Sequence, residues 1–306
     1  MPKRKAATLL CLAMWVKLNG RMKRMKIRST EERIMPQDSW SFQLLQASIS
    51  RYVFSSQFVE GRLALDIGCG IGYGASYLKR KGANKVVGCD YSEDAITFAM
   101  ARYKQEGLHF VRLDAQQLPF PTASFDVVIS LEVIEHLKGW QIFPAECNRV
   151  LKEGGIFICS TPNREFSSFG RGEPLSSYHV KEFSINEFRE LLSKHFEQIT
   201  LYGIEPQSKR DERMQRLVVK AKSKIFSAPE AEKIINFVTK FVFRKYRLMK
   251  LEEIDEDFEK VLDKRYAAYL LQDGTLPPGT TIAVGRKSRR SYGMNVHYAN
   301  TIPSSF

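Results

Sequence analysis

The sequence predicts an α/β fold in which a mostly parallel sheet carries helices on both faces. From residue 63 onward, short β-like runs alternate with helix-length stretches, which is the pattern of a parallel sheet covered on both sides. A glycine-rich turn, residues 68–74, follows the first of these runs. Hydrophobic residues make up 43 % of the chain, enough to build a sizeable core.

Seven strands are predicted from short apolar runs. In chain order they are residues 62–67, 85–89, 109–113, 125–131, 155–160, 196–202 and 280–285. Four helices are predicted between them, over residues 73–81, 92–105, 142–151 and 184–195. Ser92 is a good N-cap for the second helix. Ser184, followed three residues later by Glu187, predicts a capping box at the start of the fourth.

Helix-like sequence also fills the stretch before the last strand. Three helices are predicted there, over residues 208–224, 229–249 and 251–271, within an insert of about 206–275. We expect this insert to form a helical cap beside the sheet. The main domain then spans residues 37–287, preceded by a poorly ordered basic extension, residues 1–36, and followed by a disordered tail, residues 288–306.

The net charge of +13 is concentrated at the two ends of the chain. Residues 1–36 carry a net +8 and residues 286–306 a net +4, so the remaining body carries +1. Nucleic-acid binders carry their basic residues on the folded face that meets phosphate. This distribution therefore argues against nucleic acid as a partner.

The N-terminal apolar run, residues 6–16, is about half the length that a membrane-spanning helix needs. Basic residues follow it in place of a cleavage site, which argues against a secretory signal. These features of the N-terminal stretch favour a poorly ordered extension over an amphipathic segment at a membrane surface. The five cysteines are odd in number and lack CxxC spacing, which favours a reducing, cytoplasmic compartment.

Three acids stand at the carboxyl ends of three successive strands and define the chemistry of the predicted site. Asp66 precedes Gly68, where it would repel a pyrophosphate but could accept a hydrogen bond from an ammonium group. Asp90 can bind both hydroxyls of a ribose, and Asp114 with Ala115 can meet an adenine amino group. The loop alone also fits a loose dinucleotide pattern. The three acids favour a cationic nucleoside without phosphate, S-adenosylmethionine (SAM).

Six segments resemble the class I SAM-dependent methyltransferases, especially type 11-like enzymes of ubiquinone and menaquinone biosynthesis and glycan-associated ones. The resemblance covers about residues 49–204. It lies in LDIGCGIGYG (65–74), VVGCDYSEDAI (86–96), RLDAQQLPFPTASFDVVIS (112–130), EVIEHL (132–137), NRVLKEGGIFICSTPN (148–163) and YHVKEF (178–183). It implies a Rossmann-like, seven-stranded sheet with an antiparallel last strand and SAM as the cofactor.

The resemblance also implies roles for individual residues. Asp66 and the backbone of Gly68, Cys69 and Gly70 would face the methionine part of SAM. The remaining cofactor-site residues are Asp90 at the ribose, with Tyr91 next to it, Asp114 and Ala115 at the adenine, Ser130 and Glu132 beneath the sulfonium, and Tyr52 in the segment that closes over the cofactor.

Two histidines, His136 and His179, are candidates for a base that deprotonates an acceptor hydroxyl. A structural, hydrogen-bonded role is the alternative for each. The sequence shows no acidic cluster beside them, which argues against a metal-assisted reaction.

The favoured acceptor is a small molecule or a glycan, free or lipid-linked, methylated at oxygen, with peripheral contact at the inner membrane surface as an option. The helices of the insert carry basic and apolar residues, and they could form a lid that binds such an acceptor. The simpler interpretation is that their basic residues form a solvated face of the helical cap. Methylation at nitrogen or carbon, an RNA or protein methyltransferase using the basic ends, and a non-catalytic SAM-binding module are the alternatives. The oligomeric state stays open.

Overall fold

A computed structural model describes residues 10–18, 21–29, 42–168, 172–174, 176–204, 268–270 and 279–288. The strands of these residues are β1 (Leu10–Leu18), β2 (Arg21–Ser29), β3 (Leu63–Ile67), β4 (Lys85–Asp90), β5 (Leu108–Arg112), β6 (Phe125–Leu131), β7 (Leu151–Pro162), β8 (Glu197–Ile204), β9 (Ala268–Leu270) and β10 (Thr280–Arg286). Their α-helices are α1 (Phe42–Ser56), α2 (Tyr73–Arg80), α3 (Glu93–Arg102), α4 (Phe143–Val150), α5 (Arg164–Ser167) and α6 (Ile185–Ser193).

The main sheet has the strand order β5-β4-β3-β6-β7-β10-β8-β9. Strands β3 to β7 pair in parallel, whereas β10 lies antiparallel between β7 and β8. The predicted seven-stranded, mostly parallel sheet with its antiparallel last strand is confirmed. The seven predicted strands correspond to β3 to β8 and β10, with ends that differ by a few residues.

An eighth strand, β9, extends the sheet beyond β8, where a helix over residues 251–271 was predicted. The helix prediction is therefore wrong for residues 268–270. The outer edge of β8 offers unpaired N–H and C=O groups, and the short run Ala-Tyr-Leu can pair with it. The rest of the predicted helical insert and the tail after residue 288 lie outside the described residues.

Residues 10–18 and 21–29 form an antiparallel hairpin, with Leu10 opposite Ser29 and Leu18 opposite Arg21. The expectation of a poorly ordered extension is corrected over these two segments. The backbone of the hairpin lies against α3. Asn19-Gly20, the dipeptide between the two strands, is the strongest short-range hairpin signal in a sequence, and the argument from charge overlooked it.

The core lies on both faces of the sheet, because successive side chains of a strand point to opposite sides. Ala64 packs on the side covered by α1, α2 and α3, and Leu65 packs on the side covered by α4 and α6. This double cover explains the nearly continuous apolar sequence of the central strands. Within the described part of the chain, no helix is long and apolar enough to cross a membrane.

Candidate active site

The loop between β3 and α2 leaves open space above its backbone. Gly68 and Gly70 have φ angles of +75° and +54°, in the left-handed region that favours glycine. A Cβ added to Gly70 would meet nothing within 4 Å. A ligand can therefore approach the loop closely at this residue.

Three N–H groups of the same loop brace it against β4. Gly68 and Cys69 both donate to the Cys89 carbonyl oxygen, at 2.8 and 2.9 Å. Gly70 donates to Asp90 Oδ2 at 2.9 Å. Cys69 is buried, and burial raises the pKa of its thiol well above the usual value. Cys69 thus helps to brace the loop through its backbone N–H, while its thiol is buried.

Asp66, at the end of β3, places a carboxyl group in a fully buried position. The Tyr52 hydroxyl, from α1, donates to Asp66 Oδ2 at 3.1 Å. Burial raises the pKa of Asp66 to about 7, against the opposing hydrogen bond from Tyr52 and with a further contribution from the charge of Asp90. A carboxyl group in this state gains from a cationic ligand group, which would compensate its buried charge.

Asp90, at the end of β4, joins the glycine loop to the start of α3. Its Oδ2 accepts from Gly70 and its Oδ1 accepts from the Ser92 N–H at 2.8 Å. Tyr91 is 71 % exposed, and its ring lies 5.9 Å from the Arg112 guanidinium. Asp90 and Tyr91 therefore form the rim of the site beside β4.

Asp114 lies two residues beyond β5 and is exposed. Its Oδ1 accepts from the Gln116 N–H at 2.9 Å, and Ala115 is half-buried. The Leu113 N–H donates to the Asp90 carbonyl oxygen at 3.1 Å, which ties this turn to the end of β4. Asp114 follows the strand that neighbours β4 in the sheet. Its carboxylate accepts a hydrogen bond from the backbone of its own turn.

The other side of the site is formed by the end of β6. Ser130 is fully buried, and its Oγ has no hydrogen-bond partner among the described residues. Glu132 has φ +56°, unusual for a residue other than glycine, and its carboxylate accepts from Ser160 Oγ at 2.8 Å. Arg51, from α1, lies 3.8 Å from the same carboxylate.

These features fit a cationic nucleoside such as SAM. The structure forms two hydrogen-bonded pairs at the ends of β3 and β4, Tyr52 with Asp66 and Gly70 with Asp90. It leaves the buried Ser130 Oγ without a hydrogen-bond partner among the described residues and the space around Gly70 open. Tyr91 and Asp114 stand at the exposed margin of the site.

The two predicted histidines also come together, although 43 positions separate them in the sequence. Their ring centroids lie 4.9 Å apart, in an edge-to-face arrangement. His136 belongs to a single 3₁₀ turn after β6, and His179 lies in the loop before α6. The Val180 and Lys181 N–H groups donate to the Glu135 carbonyl oxygen, at 2.7 and 3.2 Å, and this holds the loop against the turn.

A buried carboxylate, Glu182, orients His179, and the sequence analysis did not single it out. His179 Nδ1 lies 2.7 Å from Glu182 Oε1, and Ser167 and Ser168 both donate to Glu182 Oε2. Burial alone would raise the pKa of Glu182, but the hydrogen bonds from His179, Ser167 and Ser168 outweigh it, so the pKa is lowered. The sequence held an indication of this pair, because Glu182 stands three residues after His179 in the segment YHVKEF.

A second acid, Glu135, lies with the two histidines in a group whose side chains could bind a metal ion, so the expectation that no acidic cluster accompanies them is corrected. Glu135 is 1 % exposed. Thr161 Oγ1 donates to its Oε2 at 3.1 Å, and its Oε1 lies 3.9 Å from His136 Nε2. Burial, followed by the charge of Glu132, raises the pKa of Glu135 to about 8. Glu135 is next to His136 in the sequence, and the fold adds His179, because the loop that carries His179 returns to the turn after β6.

Comparison with known proteins gives a consistent result for the same region. A family model described as a methyltransferase domain matches residues 65–159. The chain is 44 % identical to a Mycolicibacterium smegmatis protein named as a probable S-adenosylmethionine-dependent methyltransferase, over 43 % of this chain and 50 % of that protein. It is 43 % identical to a fatty-acid O-methyltransferase of the same organism, over 33 % of this chain and 37 % of that enzyme.

Among solved structures, a SAM-dependent methyltransferase from Thermotoga maritima aligns with a TM-score of 0.53 and 18 % identity, covering 81 % of this chain and 93 % of that one. This likeness shows the fold. The sequence matches span half or less of the length of the curated relatives.

Proposed function

We propose that this chain, which carries a class I SAM-dependent methyltransferase domain, transfers the methyl group of SAM to an oxygen of a small-molecule, lipid or glycan acceptor. The observation that carries the proposal is the buried carboxyl group of Asp66, just before the open glycine loop, which a cationic ligand group would stabilise. It lies inside the region that matches the methyltransferase family. Bound SAM supplies a methyl group already activated on a sulfonium.

The residues at the strand ends then have the task of holding the donor. Asp66 would accept from the ammonium group, and Asp90 would bind the ribose hydroxyls with the lone pairs that its two backbone bonds leave unused. Ser130 Oγ would gain the hydrogen-bond partner that it lacks among the described residues. Orientation of donor and acceptor in line supplies much of the acceleration in such a transfer.

Two observations favour an oxygen acceptor. An acceptor hydroxyl must lose its proton, and the structure holds His136 and His179 together, with Glu182 fixing the orientation of His179. One relative is named a fatty-acid O-methyltransferase. Val180, next to His179, is 46 % exposed and offers apolar contact to a fatty chain.

The cofactor part of the proposal is tested by calorimetric titration with SAM. The wild-type chain should bind with micromolar affinity, and Asp66→Ala and Asp90→Ala should each weaken binding at least tenfold. Asp94→Ala, an exposed acid in the first turn of α3, is the matched control and should bind like the wild type. A folded wild-type chain that does not bind SAM would overturn the proposal.

The acceptor part is tested by measuring S-adenosylhomocysteine production with fatty acids, fatty alcohols and hydroxylated glycans. Turnover with any of these supports methylation at oxygen. Turnover confined to amine acceptors would contradict it, while the cofactor assignment would stand on the binding data.

A further inference from the structure

Glu135, His136 and His179 form a compact group of side chains whose types are those of metal ligands. One candidate ligand atom from each of the three lies within 4.8 Å of the others. Nitrogen and oxygen ligands that lie ~2.1 Å from one ion are roughly 3 to 3.5 Å from one another. Side-chain rotations that move each ligand atom by about 1 Å would therefore complete a site.

An unsatisfied oxygen supplies independent support for a ligand here. Glu135 Oε1 is buried and has no hydrogen-bond partner among the described residues, while Thr161 satisfies the other oxygen of the same carboxylate. A buried acceptor without a partner costs free energy. A cation bound between Oε1 and the two imidazoles would supply the missing partner.

Both histidines are held as metal-binding histidines usually are. His136 Nδ1 lies 3.3 Å from the Tyr178 carbonyl oxygen, and His179 Nδ1 lies 2.7 Å from Glu182 Oε1. Bonds of this kind, from the second ring nitrogen to a carbonyl or carboxylate, orient ligand histidines and direct Nε2 toward the ion. Glu182 is itself only 2 % exposed and fixed by two serines.

We propose that Glu135, His136 and His179 bind one divalent transition-metal ion and that this ion activates the acceptor. Two imidazoles and one carboxylate suit Zn²⁺, Fe²⁺ or Co²⁺ better than Mg²⁺ or Ca²⁺, which prefer oxygen ligands throughout. Three protein ligands leave positions open for water or for an acceptor oxygen. The histidine side chains are 26 % and 16 % exposed, which leaves a path from solvent.

The role of the ion rests on the proposed function. A divalent ion lowers the pKa of a hydroxyl group bound to it. Because both histidines would bind the ion, the acceptor hydroxyl would lose its proton to solvent water and not to an imidazole, and its oxygen would form a bond to the methyl carbon. The carbon–sulfur bond would break with its electron pair returning to sulfur, which releases S-adenosylhomocysteine.

The experiment titrates the full chain, purified without a histidine tag and treated with a chelator, with Co²⁺ and Zn²⁺. Co²⁺ is followed by its visible absorption and Zn²⁺ by calorimetry. One equivalent should bind to the wild-type chain. His179→Ala and Glu135→Gln should weaken binding at least a hundredfold, and Glu182→Gln by 10- to 100-fold through the orientation of His179. His109→Ala, an exposed histidine in β5, should bind like the wild type.

SAM binding is measured on the same samples, so that the two proposals fail separately. A chain that binds SAM but takes up neither ion, or a His179→Ala variant with unchanged ion affinity, would overturn the metal site. A chain that binds one equivalent of the ion but no SAM would keep the metal site and overturn the proposed function. Melting curves identify variants that fail to fold, and Glu182→Gln then provides the milder test.

Discussion

Asp66 links the stability of the fold to the proposed binding of SAM. Its carboxyl group is buried at the end of β3, and burial holds its pKa at about 7 instead of the ordinary 3.8. The folded chain therefore binds this proton more tightly than the unfolded chain. The free energy of unfolding consequently falls as pH rises from about 4 to 7, and the loss is complete above pH 7.

Replacing Asp66 by Asn should therefore stabilise the ligand-free protein at pH 8 while abolishing SAM binding. Asn keeps an acceptor for the Tyr52 hydroxyl and carries no buried charge. We expect the melting temperature at pH 8 to rise by roughly 3 °C or more, with the gain disappearing near pH 4. Melting curves across this pH range measure it, with Asp94→Asn as control. A variant less stable than the wild type at pH 8 would contradict the interpretation.

At the scale of elements, α6 fixes the loop that carries His179. Ser184 Oγ accepts from the Glu187 N–H at 3.1 Å, and Glu187 Oε2 accepts from the Ser184 N–H at 2.8 Å, which confirms the predicted capping box. Glu187 also pairs with Arg164, at 2.8 Å. Burial would raise the pKa of Glu187, but the Ser184 N–H and the Arg164 guanidinium outweigh it and lower the pKa to about 2.

The Glu187→Gln variant should lose stability at pH 7, and the difference from the wild type should vanish as pH falls toward 2. The folded pKa lies below the ordinary 4.5, so the carboxylate stabilises above pH 4.5 and loses this effect on the way down to pH 2. Glu187 is partly exposed, and we expect a loss of only about 1 °C to 3 °C in melting temperature at pH 7. Glu190→Gln, on the same helix but largely exposed, is the matched control. Equal loss at pH 7 and pH 3 would contradict the prediction.

The contact between α1 and α2 depends on a residue without a side chain. A Cβ added to Gly74, in the first turn of α2, would overlap the ring of Tyr52. The same ring carries the hydroxyl that donates to Asp66 and packs edge-on against Tyr73. Gly74 therefore sets how closely Tyr52 of α1 approaches Asp66.

Gly74→Ala should lower SAM affinity at least tenfold. Ala in place of Gly ordinarily stabilises a helix by about 1 kcal/mol, so a loss here isolates the effect of displacing Tyr52. Calorimetry and melting curves on this variant and on Gly172→Ala, where an added Cβ meets open space, make the comparison. Unchanged affinity in Gly74→Ala would remove Tyr52 from the site.

At the scale of the whole molecule, the sheet order decides where the site lies. Strands β4 and β5 lie on one side of β3 in the sheet, and β6 and β7 lie on the other. Parallel sheets bind ligands in the crevice at the carboxyl ends of the strands where the order reverses. Asp66, Asp90 and Ser130 all stand at this crevice, and the turn with Glu135 and His136 follows β6 directly.

SAM should therefore stabilise the whole domain. At a hundredfold excess over Kd, binding contributes about 2.7 kcal/mol, and we expect the melting temperature to rise by roughly 5 °C. NAD, a dinucleotide, should give no shift, because Asp66 repels its pyrophosphate. Thermal-shift measurements with both ligands compare the two interpretations of the glycine loop. A larger shift with NAD would favour a dinucleotide enzyme.

The sequence by itself determined the α/β fold, the order of strands and helices along the chain and the capped start of α6. These follow from local patterns: apolar runs, glycine turns and capping residues act over a few positions, so they can be read without the fold. The acids at the strand ends could be predicted for the same reason, since the end of a parallel strand marks its edge of the sheet.

Only the tertiary structure decided which distant side chains meet. It brought Tyr52 to Asp66, placed β9 on the edge of β8, and joined His179 to Glu135 and His136. These contacts depend on how separate elements pack and on how the loop before α6 returns to β6. Burial also determined the ionisation of Asp66 and Glu135, because the pKa of a carboxyl group depends on the solvent that the folded chain removes.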